Sequence, residues 1–153
     1  MNKLLDKDLI VLNSGAQDYS EIFKILGQIM IDKGYANPNY IEGLVDRESQ
    51  FPTGIPAESI GIALPHTDAS FVKESKIGLL ILDNTVKFGV MGSNGEEVNV
   101  KIVFLLGCAE GNQHLQALQK IIELIQDATF VDQLLSLSTK DEAYSLLNNK
   151  LTF

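Results

Sequence analysis

The chain has 153 residues, 45% of them hydrophobic and 21% charged, and its formal net charge is −8 at pH 7. This length and composition predict one folded domain, spanning residues 1–153. The acidic balance argues against nucleic acid and an anionic membrane surface as partners, because both require a basic face. No apolar run approaches the ~20 residues of a membrane span, and residues 1–7 lack a signal-peptide pattern. The single cysteine excludes an intramolecular disulfide, so we expect a cytoplasmic protein.

The first third of the chain is predicted to contain a strand and two helices. Residues 9–12 form a short apolar run that is typical of a strand. Asp18 and Glu21 have the spacing of a capping box, and apolar residues then recur at helical intervals up to Gly34, where a helix is expected to end. Asn37 predicts the start of a second helix, because a proline follows it at the first helical position.

A loop and a short strand are expected after the second helix. Residues 51–59 contain two prolines and no periodicity, which favours a loop. Residues 60–64 predict a buried strand that Pro65 ends, since proline donates no hydrogen bond to a ladder. His66 is therefore expected at a strand end beside a loop, where functional side chains are common.

The second half is predicted to begin with strands. Residues 76–82, 86–90 and 98–106 are apolar segments of strand length. The sequence Gly-Ser-Asn-Gly at 92–95 predicts a turn before the last of them.

Three helices are predicted at the end of the chain. Asn112 can cap the first, which places His114 in its first turn. Residues 130–137 predict a second helix, and Thr139 with Glu142 predicts a capped third. The apolar stripe of the first is expected to consist of Leu115, Leu118, Ile121, Ile122 and Ile125.

Helices and strands therefore mix along the chain without regular alternation. This order favours the α/β class, and within it an α/β/α sandwich with one mixed sheet, of parallel and antiparallel strands, flanked by helices.

The sequence contains only two histidines, His66 and His114, and both are predicted at the ends of elements. A lone histidine more often has a structural role, but two in such positions favour a chemical one. A neutral imidazole is a nucleophile near pH 7 and can also donate a hydrogen bond to an anion. The amides at the start of the His114 helix also favour an anion.

Other side chains offer further chemistry, each with a plain structural alternative. Arg47 presents a planar fork that suits a phosphoryl group, or it forms a surface salt bridge. Thr53 and Thr67 offer hydroxyl donors, or they cap loops. Side chains of the type that binds divalent metals are those of Glu48, His66, Asp68 and His114. Their spacing matches no metal motif, so neither a metal nor a cofactor is predicted.

Four segments together resemble a known family. Arg-Glu at 47–48 is followed by Phe-Pro-Thr-Gly-Ile at 51–55, Gly-Ile-Ala-Leu-Pro-His-Thr-Asp at 61–68 and Asn-Gln-His-Leu at 112–115. In this order and spacing they resemble the fructose/mannitol type of enzyme IIA of the bacterial sugar phosphotransferase system. The likeness covers nearly the whole chain, and the Pro-Thr-Gly-Ile and Pro-His-Thr-Asp variants are most similar to the galactitol branch.

The resemblance implies a phosphohistidine carrier. It implies that His66 is phosphorylated and that His114 and Arg47 hydrogen-bond the phosphoryl group. Further residues predicted to bind this group are Thr53, Glu48 and Thr67. The donor would be the phosphocarrier protein HPr and the acceptor a cognate enzyme IIB, while the sugar would bind the membrane component IIC. An apolar ring for docking these partners is expected to include Phe51, Ile55 and Phe71.

Two other functions stay open at this point. One is a regulatory module of the nitrogen-type enzyme IIA branch, whose phosphorylation state controls its binding to other proteins. The other is a metal hydrolase built on the two histidines.

Overall fold

One mixed five-stranded sheet lies at the centre of the computed structural model, which describes residues 3–152. Its strands are β1 (Ile10–Ser14), β2 (Gly54–Pro56), β3 (Gly61–Ala63), β4 (Lys76–Gly89) and β5 (Glu97–Gly107), in the spatial order β1-β4-β5-β3-β2. The pairs β1–β4 and β3–β5 are parallel, whereas β4–β5 and β2–β3 are antiparallel. The mixed sheet is therefore confirmed.

Helices cover both faces of this sheet. They are α1 (Tyr19–Asp32), α2 (Tyr40–Gln50), α3 (Gly111–Ile125), α4 (Ala128–Leu135) and α5 (Lys140–Lys150), with short 3₁₀ turns at Lys7–Leu9 and Ala69–Phe71. Alternate residues of β5 point to opposite faces: Ile102 and Phe104 pack with α3, α4 and α5, whereas Val103 and Leu105 pack with α1 and α2. The predicted α/β/α sandwich is confirmed.

None of the helices within residues 3–152 combines the length and the apolar composition that crossing a bilayer requires.

Local capping signals in the sequence are confirmed where the side chain reaches its own helix. The Asp18 side chain accepts from the Glu21 N–H at 2.8 Å, and Gly34 follows α1 with a positive φ of 77°. Thr139 and Glu142 form the complete reciprocal capping box of α5.

The predicted starts of α2 and α3 are wrong. Helix α2 begins at Tyr40, because the Asn37 side chain donates instead to the Ser70 carbonyl at 3.0 Å. Helix α3 begins at Gly111, one residue before the predicted cap Asn112. In both cases the predicted cap residue does not cap its helix. The Asn37 side chain binds a residue outside α2, and the Asn112 side chain has no hydrogen-bond partner among the described residues.

The prediction that residues 51–59 form only a loop is also wrong. Gly54–Pro56 forms the edge strand β2, paired with β3 as a hairpin. Proline is tolerated there because an edge strand has a side with no ladder to break. Similarly, residues 76–82 and 86–89 belong to one long strand, β4, with a register irregularity between Ile81 and Val86 in place of the predicted break.

Candidate active site

His66 follows β3 at a position that the neighbouring strands fix. The Leu64 N–H donates to the Thr53 carbonyl at 3.2 Å, and the Leu106 N–H donates to the Pro65 carbonyl at 3.0 Å. Both bonds tie the segment before His66 to the sheet, one on each side. The imidazole is therefore held firmly although it lies beyond the last ladder residue of its own strand.

One contact determines which ring nitrogen of His66 carries the proton. Nδ1 lies 2.9 Å from the Leu64 carbonyl oxygen. A carbonyl oxygen only accepts, so Nδ1 must donate and must hold the proton. In the neutral ring, the free lone pair is then on Nε2. The sequence left open which nitrogen is free, and this contact leaves Nε2 as the atom that could act as a nucleophile.

His114 lies in the first turn of α3, as predicted, and its ring contacts that of His66. The two ring centroids are 4.5 Å apart and the ring planes are inclined by 48°. Glu110, the residue before α3, makes no capping hydrogen bond from its side chain within the described residues. The first amides of α3 therefore stay available to an anion, which the helix dipole also favours.

Arg47 lies in the last turn of α2, and the Phe51 ring supports its guanidinium group. The guanidinium carbon is 4.4 Å from the centroid of that ring, within cation–π distance. Its Nε is buried and has no hydrogen-bond partner within residues 3–152. An unpaired buried donor costs about 1–3 kcal/mol, so an anion that accepts this bond would be favoured.

These three side chains line a single cavity of about 180 Å³. Its lining consists of Arg47, His66, Thr67, Asp68, Ala69, Cys108, Gly111 and His114. A guanidinium, two imidazoles and a helix start provide donors from several directions, which suits a small tetrahedral anion. Sequence reasoning missed Ala69, Cys108 and Gly111 as members of this site. The signal for all three is position alone, since Ala69 closely follows His66, Cys108 follows β5, and Gly111 begins the helix that bears His114.

Both histidines have a pKa below the ordinary value of 6.5. Burial is the largest cause for His66 and for His114, and the positive charge of Arg47 lowers both further. The hydrogen bond to Leu64 opposes the shift of the His66 pKa, while the neighbouring His66 ring adds to that of His114. Both rings are therefore neutral at pH 7, the form in which Nε2 of His66 can attack.

Glu48 and Thr53 do not line this cavity, in contrast to their predicted contact with a phosphoryl group. The Glu48 carboxylate accepts the Thr53 N–H at 2.7 Å and the Thr53 hydroxyl at 2.8 Å. The two residues are only 4% and 1% exposed. Because their polar groups bind each other inside the protein, the geometry does not support direct contact with an anion. Thr67, the third predicted residue, does line the cavity.

Two exposed apolar side chains accompany the site residues. Phe51, which stacks on Arg47, is 56% exposed, and Leu115, which follows His114, is 52% exposed. Leu115 was predicted within the apolar stripe of α3, but the fully buried residues of this helix are Ala117, Ile121 and Ile125, with Leu118 and Ile122 partly buried beside them. Ile55 and Phe71 of the predicted docking ring are partly buried against the core. Of the predicted ring only Phe51 is exposed at the site, and Leu115 accompanies it in place of Ile55 and Phe71.

A larger cavity of about 490 Å³ lies between the β2–β3 hairpin and the junction of α3 and α4. Its lining includes the carboxylates of Glu58 and Asp132, but no histidine and no basic residue. Repulsion makes it unsuitable for a phosphoryl group. Within residues 3–152, no three His, Cys, Asp or Glu side chains are grouped so that they could hold a metal ion.

Comparison with known proteins identifies the class of this site. Residues 3–150 match the family described as "Phosphoenolpyruvate-dependent sugar phosphotransferase system, EIIA 2". The chain belongs to this family. It is therefore a phosphotransferase component, and the resemblance seen in the motifs is confirmed.

Individual relatives show how far the likeness extends. The mannitol-specific phosphotransferase enzyme IIA component of Geobacillus stearothermophilus is 32% identical over 149 residues, which are 95% of each chain. The galactitol-specific EIIA component of Escherichia coli K12 is 33% identical over 120 residues, covering 78% of this chain and 79% of that one. The two identities do not separate the galactitol branch from the mannitol branch.

The fold is shared with solved structures. The complex of the mannitol enzyme IIA with phosphorylated enzyme IIB from Escherichia coli contains a chain that matches with a TM-score of 0.77 at 24% identity. The match covers 95% of this chain and 97% of that one. At this identity the likeness establishes the fold.

Proposed function

We propose that this protein carries a phosphoryl group on Nε2 of His66, from HPr to a cognate enzyme IIB of a sugar phosphotransferase system, in the cytoplasm. The observation that carries the proposal is the hydrogen bond from His66 Nδ1 to the Leu64 carbonyl. It leaves the Nε2 lone pair of a ring that lines the same cavity as Arg47 and His114. Family membership supplies the class of reaction.

The transfer is an in-line exchange between two imidazole rings. The Nε2 lone pair of His66 forms the new bond to phosphorus, while the bond between phosphorus and the donor nitrogen breaks. The electron pair of the broken bond returns to the donor ring. The Nδ1 proton of His66 stays in place, where the Leu64 carbonyl stabilises the positive charge that develops on the ring.

The cavity stabilises the charge of the transferring group. Negative charge on the equatorial oxygens is met by the guanidinium of Arg47, including the buried Nε that has no partner among the described residues. A neutral His114 donates one further hydrogen bond, and the first amides of α3 contribute their dipoles. Thr67 lies at the cavity and can donate its hydroxyl.

Docking of the partners would use the exposed pair Phe51 and Leu115. Both are more than half exposed, and each is next to a site residue in the sequence or in space. The net charge of −8 favours approach of a basic carrier protein. The likeness to the solved complex of a mannitol enzyme IIA with phosphorylated enzyme IIB supports an enzyme IIB as the acceptor.

The sugar would bind the membrane component IIC and would not touch this chain. Relatives specific for mannitol and for galactitol both support a hexitol as the sugar. The motif variants at 52–55 and 65–68 favour galactitol within that class.

The test is transfer of labelled phosphate from phosphorylated HPr to the purified protein, followed by a chase with galactitol and mannitol enzymes IIB. We expect an acid-labile, alkali-stable label that His66→Ala abolishes and that passes to the galactitol enzyme IIB faster than to the mannitol one. A label that persists in the His66→Ala protein would overturn the assignment of the acceptor. A stable label that no enzyme IIB removes would favour the nitrogen-type regulatory role.

A further inference from the structure

A chain of three hydrogen bonds connects a buried carboxylate to the His66 ring. Glu48 accepts the Thr53 N–H at 2.7 Å, and the Thr53 carbonyl accepts the Leu64 N–H at 3.2 Å. The Leu64 carbonyl then accepts the proton of His66 Nδ1 at 2.9 Å. Each residue of this path is hydrogen-bonded to the next. The position of Glu48 therefore affects the orientation of the His66 ring although the two side chains share no hydrogen bond.

The carboxylate is an unusual choice for so buried a position. Glu48 is 4% exposed, and no basic nitrogen among the described residues lies within ion-pair distance of it. Burial raises its pKa to about 7 although the two bonds from Thr53 oppose the shift. A buried charge without a counter-charge is costly, so packing alone does not account for it. What a carboxylate offers here is two acceptor oxygens for the two donors of Thr53.

The same helix turn holds Arg47, which lines the cavity and stacks on Phe51. Consecutive residues of α2 therefore reach the site by two routes. Arg47 acts directly on the anion, while Glu48 fixes the backbone that presents the acceptor ring.

We infer that Glu48 is a positioning residue for phosphoryl transfer: through Thr53 and Leu64 it holds His66 in the Nδ1–H form, with Nε2 directed at the cavity. This role rests on the proposed function of His66. It replaces the direct phosphoryl contact that the sequence suggested for Glu48 and Thr53.

The role depends on the length of the side chain, which gives a discriminating pair of variants. Glu48→Asp keeps the charge but withdraws the carboxylate by about 1.5 Å, one carbon–carbon bond. Glu48→Gln keeps the length and removes the charge: its amide oxygen can still accept the Thr53 N–H, and its NH₂ group can donate to the Thr53 hydroxyl, which also accepts. A positioning role predicts that the glutamine variant retains more activity than the aspartate variant, whereas a role for the charge itself predicts the reverse order.

The experiment combines the labelling rate with nitrogen-15 NMR of the His66 ring. For Glu48→Asp we expect the rate from phosphorylated HPr to fall ~10-fold or more, since ~1 Å of misplacement can cost ~10²-fold. We also expect the ring signals to shift away from the pure Nδ1–H tautomer. Glu42→Asp, an exposed glutamate of the same helix, is the matched control and should behave as the unchanged protein. Unaltered ring signals and a rate within twofold in Glu48→Asp would overturn the inference.

The unchanged protein provides a second measurement should the aspartate variant not fold. As Glu48 titrates near pH 7, its carboxyl carbon and the His66 Nδ1–H should show a shared inflection. The titratable and charged groups at the ring itself are Arg47, Asp68 and His114, and the two imidazoles titrate lower. A His66 ring without an inflection at the measured midpoint of the Glu48 carboxyl carbon would contradict the path. Failure of the unchanged protein to take label would instead refute the proposed function, because the NMR result does not depend on transfer.

Discussion

The imidazole rings of His66 and His114 lie with their centroids 4.5 Å apart, one following β3 and the other in the first turn of α3. At this distance a proton on one ring disfavours a proton on the other, and Arg47 adds its fixed positive charge. Both rings are therefore uncharged at neutral pH. One ring can then act as nucleophile while the other donates a hydrogen bond.

Phosphoryl uptake should decline at acid pH with a midpoint below 6.5. A histidine with a lowered pKa is neutral above that value, so activity is present above it and is lost as the pH falls through it. Protonation of Nε2 would occupy the lone pair that attacks phosphorus in the proposed transfer. The rate of labelling from phosphorylated HPr, measured from about pH 5 to 8, would be compared with the nitrogen-15 titration of His66. A midpoint above 6.5 would contradict the role of burial and Arg47.

His114→Ala should slow transfer about 3- to 10-fold and leave the fold intact. The expected factor corresponds to one hydrogen bond of ~0.5–1.5 kcal/mol to the transferring group. Rapid-mixing measurements of labelling would give the rate, and circular dichroism the thermal midpoint. Gln116→Ala, at an exposed position of the same helix, is the control and should leave the rate unchanged. A His114→Ala rate equal to that of the control would exclude His114 from the reaction.

Arg47→Lys should reduce transfer about 10- to 100-fold despite its conserved charge. A lysine ammonium lacks the planar fork and the Nε donor, and charged hydrogen bonds contribute ~1.5–3 kcal/mol each. Arg47 is the only arginine of the sequence, so no second arginine can serve as a control. The control is therefore the reverse substitution at an exposed lysine, Lys24→Arg on α1. If both variants transfer at the normal rate, the guanidinium does not act on the phosphoryl group.

Ser75→Ala should slow phosphoryl transfer although Ser75 does not line the cavity. The Ser75 hydroxyl donates to the Gln113 side-chain oxygen at 2.5 Å and accepts the Ala109 N–H at 2.8 Å, which ties the first turn of α3 to the start of β4. Without this tether we expect faster amide exchange around His114 and a labelling rate ~3- to 10-fold lower, the effect of one or two neutral hydrogen bonds. Ser138→Ala, at an exposed serine before α5, is the control. Unchanged exchange at the α3 start would show that other contacts hold it.

The sequence was informative where a signal and its structural effect are close together in the chain. Asp18 and Thr139 cap the helices that follow them, and β3 ends at Ala63, two residues before Pro65, because each signal acts on its own neighbours. The residues of β2 show no alternation, since a three-residue edge strand with a proline needs none. The partnership of Glu48 with Thr53 could not be seen in advance. It depends on how the chain turns between α2 and β2. The sequence shows only that Thr53 has a hydroxyl group and does not show which partner that group binds.

The same limit applies to side-chain exposure. Leu115 fits the apolar spacing of α3, but it lies about 120° around the helix from Ile121, the middle residue of the buried face. Only the structure shows which side of the helix faces the sheet.

The parallel pairing of β3 with β5 has a consequence for variants remote from the cavity. Parallel neighbours leave a sheet at the same edge, so the loop bearing one imidazole and the helix bearing the other emerge side by side. A shift of the β3–β5 register by one residue would displace one ring relative to the other by about 3.3 Å and turn alternate side chains to the opposite face. Substitutions at Ile62 or Ile102 that weaken the β3–β5 pairing would therefore slow phosphoryl transfer although every reactive side chain is retained.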